Sequence, residues 1–417
     1  MMFAFGVTLF ALGIGLSIAL HEYGHFLTAK AFGMKVRRYF IGFGPTLFSW
    51  RRGETEYGLK AIPAGGFCDI AGMTALDELE PDEHERAMYK QATWKRLVVM
   101  LGGPMGNFVF GFVLVIVLAV GWGLPNLMLS SSAVVGEVGC VASSQEPPRQ
   151  NAEGQWVPGG VSGCSGTGPA EEAGIEPGDL IVAVDGQPVA DFGELVRLVQ
   201  PAEGVITVTV ERGEERLDFP VRVEPAQRYV IDPGQSLEQA RPETVSAIGV
   251  GAGRLAPPEP LGVLPALPAS VSFTGDMAVL TWDAMLRIPE RMPAVVRSIM
   301  GEERDPDTPI SVVGASRIGG EVAERGLWEV FILLLASLNF FIGLFNLLPL
   351  LPLDGGHIAV TIYESIRNRI RRMMGKPNGA PVDYTKLLPI TFTVMLLGGA
   401  VMLLTITADI VNPIRLF

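Results

Sequence analysis

The sequence predicts a polytopic α-helical membrane protein with about four spanning helices and an external β-rich module. First, 48% of its 417 residues are hydrophobic and only 18% charged, with a mean hydropathy of +0.35, too apolar for an ordinary soluble chain of this length. Second, four apolar runs, Phe3–Leu20, Leu97–Leu124, Trp328–Leu351 and Leu387–Ile410, approach or exceed the roughly 20 residues that a spanning helix requires. Third, the basic residues are segregated. Lys30, Lys35, Arg37, Arg38, Arg51, Arg52, Lys95 and Arg96 follow the first run, and Arg367, Arg369, Arg371, Arg372 and Lys376 follow the third. These two loops are expected in the cytosol, which puts Pro125–Gly326, acidic and without lysine, outside together with both termini. The net charge of −12 then belongs mostly to the external part and argues against a nucleic-acid partner.

The first run is read as a span that is kept and not as a secretory signal, because no Lys or Arg precedes it and no small-residue cleavage site follows. It ends in "HEYGH". On a helix His21 and His25 lie one turn apart on one face with Glu22 beside them, the H-E-x-x-H arrangement in which two imidazoles hold one metal ion. Ionisable groups at the end of an apolar segment are costly and tend to be functional; the alternative is three polar residues that anchor a helix end. A zinc site with an open position needs a third protein ligand. His84, in "DELEPDEHER", reads as part of a solvated loop, whereas Asp354 is the only carboxylate in "NLLPLLPLDGGH" at the end of the third run. From the residues alone, Asp354 is equally a metal ligand or the N-cap of the following helix.

Residues 131–225 alternate like a β-rich domain: "AGIEPGDLIVAVDGQPV" reads as turn, strand, turn and short strand, and "DFGELVRLVQ" has helical spacing. An insertion between Val138 and Gly168 holds Cys140 and Cys164, a candidate disulfide on the external side, the alternative being two free thiols. Residues 226–327 read as linker and amphipathic helix: Ala256–Ser270 is Pro-rich, and Phe273, Met277, Leu280 and Met285 share one helical face, suited to the membrane surface or to packing on the external domain. Residues 1–124 and 328–417 carry the two pairs of spans.

"GPAEEAGIEPGDLIVAVDGQPV" resembles the PDZ domains of bacterial membrane proteases. Together with "HEYGH", "GGPMGN" (Gly102–Asn107) and "FNLLPLLPLDGGH", in that order, the chain resembles the site-2 protease family of intramembrane zinc metalloproteases. The single PDZ-like domain with its cysteine-bearing insertion, and "PISVVGASRIGGEVAERGLW", are most similar to the actinobacterial members that cleave anti-sigma factors. The resemblance implies Zn2+ held by His21, His25 and Asp354, with Glu22 as catalytic base and then acid. It makes Asn346 a holder of substrate backbone and Glu54–Phe67 a membrane-reentrant β-loop, with Tyr57 and Leu59 on the strand offered to an unwound substrate. It also implies single-span membrane substrates such as anti-sigma factors, cut in the inner membrane after a prior site-1 cleavage, in stress signalling, with the zinc site toward the cytosol. Gly102, Gly103 and Gly106 read as close-packing positions with Asn107 near the site, and His357 as an interfacial or supporting residue. The rival readings are a PDZ-bearing membrane scaffold with a structural or inactive metal site, and an ion transporter, against which the lack of an inverted repeat speaks.

Overall fold

The first apolar run becomes α1 (Met2–Ala31), whose buried residues, Gly6, Phe10, Ile14, Ser17, His21, His25 and Ala29, recur every third or fourth position and so form one stripe. The computed structural model describes residues 1–74, 77–125, 127, 133–150, 156–157, 159–213, 215–230, 240–252, 258–302, 304–305 and 307–414. It divides into two units, Met1–Leu124 with Glu259–Phe417, and Pro125–Pro258.

After α1 come β1 (Val36–Arg52) and β2 (Thr55–Ile70), an antiparallel pair in which each strand doubles back. Tyr39 is opposite both Cys68 and Tyr57, and Tyr57 is opposite both Tyr39 and Trp50. The result is four segments in the order 46–52, 55–60, 36–41, 66–70. Gly42 (φ 88°) and Gly44 (φ 79°) take the left-handed conformations that turn β1 on itself. Ion pairs tie the following loop to the sheet: Arg37 reaches Glu83 at 2.6 Å and Asp77 at 3.1 Å, while Glu54 accepts from Arg86 and Lys30. The Arg37 hydrogen bond holds the Glu83 carboxyl down at about 2, and Arg86 does the same for Glu54. Helix α2 (Thr93–Gly121) then returns along α1, bringing Phe110 and Leu114 against Phe10 and Ile14.

The second unit is built on a mixed α and β pattern. β3 (Ala133–Val138), β4 (Ser144–Gln145), β5 (Arg149–Gln150), β6 (Trp156–Val157) and β7 (Val161–Ser162) precede α3 (Pro169–Ala173), β8 (Leu180–Val184), β9 (Gln187–Pro188) and α4 (Phe192–Val199). β10 (Val205–Arg212), β11 (Glu215–Arg222), β12 (Glu224–Val230), β13 (Arg241–Ala247) and β14 (Val250–Ala252) complete it. The main sheet runs β11-β10-β8-β3-β14 with β9 on β8. Asp185 and Gly186, both at positive φ, form the two-residue β8–β9 turn for which Asp-Gly is suited. Asp191 caps α4, accepting from the Glu194 amide at 2.7 Å, while Glu194 accepts from the Ala190 amide at 2.9 Å. Ile181, Leu195, Ile206, Val208 and Val210 fill the core, and Cys140 is bonded to Cys164 with Cα atoms 5.5 Å apart. The unit runs past the expected end at 225: β14 adds to the β3 edge, a long-range pairing that local pattern does not reveal. Residues 131–132, 151–155 and 158 of the expected module, and Ala256 and Pro257 of the Pro-rich run, lie outside the described residues.

The chain then forms α5 (Val263–Ile299), α6 (Val312–Glu324), α7 (Trp328–Asn346), α8 (Asp354–Met373) and α9 (Leu388–Val411). Among the described residues five helices, α1, α2, α5, α7 and the one ending at Val411, are long and apolar enough to cross a membrane, one more than the sequence suggests. The extra one is α5: it begins within the Pro-rich run read as linker and continues through Pro268, Pro289 and Pro293 as one helix, with Phe273, Met277 and Met285 buried. Both ends of α5 are nevertheless tied to one end of the bundle. The Leu261 amide donates to the Ala119 carbonyl near the end of α2, and Asn412, just past α9, donates to Ser298 and Glu302 carbonyls. That end also holds α6, which packs Gly319 and Gly320 against Phe10 and Val7 of α1. Helix α7 stops at Asn346 ahead of Pro349 and Pro352, short of the expected Leu351.

Candidate metal centre

His21 and His25 lie on α1 where α2 comes closest, and the approach is set by glycines. A Cβ on Gly24 would sit 1.9 Å from the Gly102 carbonyl oxygen, one on Gly106 2.5 Å from the Leu20 oxygen, and one on Gly103 2.2 Å from His25 Nε2. No other residue allows the two backbones to meet here. The neighbouring helix then holds both rings. His21 Nδ1 is 2.7 Å from Asn107 Oδ1 and His25 Nδ1 is 2.8 Å from the Val99 carbonyl oxygen. Asn107 is fully buried and donates to the Ser17 carbonyl and to Asn339 Oδ1, while Asn339 donates to the Leu335 carbonyl.

Each Nδ1 faces an acceptor and so carries the proton, which leaves Nε2 of both rings as a lone pair. Both lone pairs point at one atom: Asp354 Oδ2, 3.2 Å from His21 Nε2 and 3.3 Å from His25 Nε2. That oxygen is buried and has no hydrogen-bond partner among the described residues. Three acceptors converging within 4.8 Å repel one another unless a cation lies among them. Two imidazoles and one carboxylate suit zinc.

The N-cap of α8 is Leu353, so Asp354, the first helical residue, does not occupy the cap position, and its side chain is directed to the histidines. A cavity of about 280 Å³ joins His21, Glu22, His25 and Asp354 to Gly66, Phe67, Cys68 and Ile70 of β2 and to Asn346 of α7. Cys68 lines the cavity beside Glu22, and a Cβ on Gly66 would lie 2.8 Å from Glu22 Cγ. Asn346 lines this cavity while donating to the Ile342 carbonyl at 3.0 Å.

Tyr57 and Leu59 do not line it. Both lie on segment 55–60, paired on one side to 36–41 and on the other to 46–52, so their strand has no unpaired edge for a substrate. The edge at the cavity is 66–70, a placement that follows from the doubled-back register, which alternation along the sequence does not disclose. His357 stacks on Tyr384 with ring centroids 5.6 Å apart, and His84 sits in a short 3-10 turn of the ion-paired loop. Asn339 and the Val99 carbonyl were not foreseen; an Asn fully buried in an apolar helix was the available signal for Asn339.

The chain matches the model of peptidase family M50 over residues 9–389. It is 52% identical over 417 residues to the zinc metalloprotease Rip1 of Mycobacterium tuberculosis, covering all of both chains. It is 49% identical over 421 residues to the zinc metalloprotease Rip1 of Mycolicibacterium smegmatis, again covering both chains.

Proposed function

The chain belongs to peptidase family M50, the site-2 proteases, and on that premise we propose that His21, His25 and Asp354 hold the catalytic zinc and that Glu22 moves the proton. It is a membrane-bound zinc metalloprotease with a β-rich domain, acting on membrane proteins. The observation that carries the residue assignment is Asp354 Oδ2, buried and unpaired, facing both Nε2 atoms. Zinc held by His21, His25 and Asp354 would supply the Lewis acidity that activates a water and polarises the scissile carbonyl. Glu22, at the cavity wall beside Cys68 and Gly66, takes a water's proton and hands it to the leaving amine. Asn107 and the Val99 carbonyl keep the imidazoles in the tautomer that binds a metal.

A substrate helix hides its carbonyls in its own hydrogen bonds, and releasing them in lipid costs several kcal/mol each. In this reading the 66–70 edge of β2 supplies substitute partners, and Asn346 holds the substrate backbone beside it. The substrates are single-span proteins, anti-sigma factors among them, already trimmed by another protease. The 133–252 region acts as a PDZ-like domain on the new terminus or as a size filter, supported by its sheet, its two short helices and the Asp-Gly hairpin. The protein lies in the inner membrane with α1, α2, α7 and α9 crossing it; α5 does not cross, because both its ends are tied to the end of the bundle away from the histidines. The metal end faces the cytosol, where the basic loops are, and the termini and the 125–258 unit lie outside.

The test is cleavage of a single-span reporter by wild type and Glu22→Gln in proteoliposomes, with zinc content measured in parallel. Zinc retained and cleavage lost assigns Glu22 its role; cleavage unchanged in Glu22→Gln removes it.

A further inference from the structure

Helix α8 follows the metal-site end of α7 and is joined to the start of α9 by residues 374–387, so it lies where those two spans leave the membrane. Its amphipathicity is the reverse of that of a helix packed on a soluble protein. The inward side is polar: Thr361 and Glu364 are buried, and Glu364 accepts from Arg96 of α2 at 2.9 Å and from the Val382 amide at 2.7 Å. The outward side is apolar: Ile362 (42% exposed), Ile366 (55%), Ile370 (52%) and Met373 (82%) recur every third or fourth residue. At 3.6 residues per turn, Arg367 and Arg369 border this stripe on opposite flanks.

The charge is equally one-sided. Residues 365–387 hold six Lys and Arg and one Asp, in a chain whose net charge is −12. Among the described residues no carboxylate lies within 4.0 Å of Arg367, Arg369, Arg371 or Arg372, as none does of Arg38, Arg51, Arg52 or Arg287, whereas Arg37, Arg86, Arg96 and Arg304 each have one. Arg367 and Arg371 donate only to backbone carbonyls, the Arg367 guanidinium also lying over the Tyr363 ring at 5.8 Å from its centroid, and Arg367 Nε is buried without a hydrogen-bond partner. An open depression of about 450 Å³ is lined by Arg369, Arg372 and Met373, two guanidinium groups beside a thioether.

From these observations we propose that α8 lies in the membrane–water boundary at the metal-site end, with the Ile362–Met373 stripe among acyl chains and Arg367, Arg369 and Arg372 holding anionic phospholipid headgroups. Continuity with α7 and α9 puts the helix at that depth, and the unpaired guanidinium groups select the sign of the headgroup. The Arg96–Glu364 pair sets the rotation of the helix, so that the apolar side faces lipid and Asp354, at its first turn, faces the histidines. The composition of the surrounding lipid is thereby coupled to the position of a proposed metal ligand.

The test uses the full-length protein in nanodiscs of phosphatidylcholine alone or mixed with phosphatidylglycerol, comparing wild type with the Arg367→Gln/Arg369→Gln/Arg372→Gln variant and with Ile366→Asn/Ile370→Asn. Hydrogen–deuterium exchange follows residues 362–374, and mass spectrometry counts the lipids retained after purification. The expected result is slower exchange in wild type when phosphatidylglycerol is present, and retention of phosphatidylglycerol over phosphatidylcholine falling roughly fivefold for each arginine removed at low salt. The Ile variant should exchange fast in both lipids. Equal exchange and retention for wild type and the arginine variant overturns the headgroup site. Protection that follows protein density and not lipid charge assigns the stripe to a second copy and overturns it too. Protection reproduced by inorganic phosphate in neutral nanodiscs assigns the arginines to a free anion.

Discussion

Gly103→Ala is the sharpest test of how the metal centre is built. The added Cβ would lie 2.2 Å from His25 Nε2 and 2.7 Å from His21 Nε2, against 3.4 Å or more for an ordinary contact. One imidazole must therefore move by about 1.2 Å, the difference between 3.4 and 2.2. Neither ring has that freedom, because its Nδ1 is held at 2.8 Å by the Val99 carbonyl or at 2.7 Å by Asn107. Nor can α2 retreat, since the Gly24–Gly102 and Leu20–Gly106 contacts lie on either side of the collision. Overpacking of this kind costs about 1–3 kcal/mol of stability, while a displacement near 1 Å at a ligand atom is worth about 10²-fold in function. The expected outcome is a folded protein that holds zinc about 10²-fold more weakly and whose cleavage falls at least as far. Gly15→Ala is the control: it lies in α1, the helix that carries the two histidines, with no atom within 4 Å of its added Cβ, and it should behave as wild type. Zinc affinity by chelator competition and reporter cleavage are the assays. Gly103→Ala binding zinc within threefold of wild type would refute the packing argument.

Three other outcomes follow from the geometry. Asn107→Ala removes the 2.7 Å partner of His21 and the link to Asn339, and should weaken zinc binding about 10–100-fold in the same competition assay. Asp409→Asn breaks a buried pair with Arg304, 2.9 Å apart with side chains 2% and 1% exposed, at a cost of about 3–5 kcal/mol; hydrogen exchange should speed up at residues 304–314 and at the end of α9, where Thr405, Ala408 and Asp409 are the buried residues. The Glu83 carboxyl sits at about 2 against an ordinary 4.5, so its bond to Arg37 contributes fully above about pH 4.5 and is lost as pH falls toward 2. That contribution is roughly 2–3 kcal/mol, and exchange at residues 77–91 should rise over this window in wild type and be raised already at neutral pH in Glu83→Gln.

The metal centre was partly legible because its local half is local. "HEYGH" at the end of an apolar run puts two imidazoles on one helical face by helix geometry alone, and the buried stripe of α1 follows the same period. Asp354 was ambiguous for a physical reason: an Asp opening a helix is a good N-cap, and only the folded chain shows that Leu353 takes the cap position and that Asp354 follows it. Asn107 and Asn339 form a hydrogen-bonded pair across α2 and α7, which no spacing along one helix encodes. The place of Tyr57 and Leu59 on an inner segment of the sheet was not legible, because register between doubled-back strands is set by turns at Gly42 and Gly44 and by contacts far along the chain. Helix α5 was divided into linker and helix on the strength of its prolines, yet tertiary packing of Phe273, Met277 and Met285 holds it as one.

The account rests on three side chains sharing one zinc ion, and metal analysis of the detergent-purified full-length protein tests that without any known substrate. Wild type, His21→Ala and Asp354→Ala would be loaded in buffered zinc and measured by inductively coupled plasma mass spectrometry, with circular dichroism as the check on folding. About one zinc per chain in wild type, lost in both folded variants, is the predicted result. Zinc retained at the wild-type level by Asp354→Ala would contradict the account, because the unpaired oxygen between the two histidines would then have no role in holding the metal.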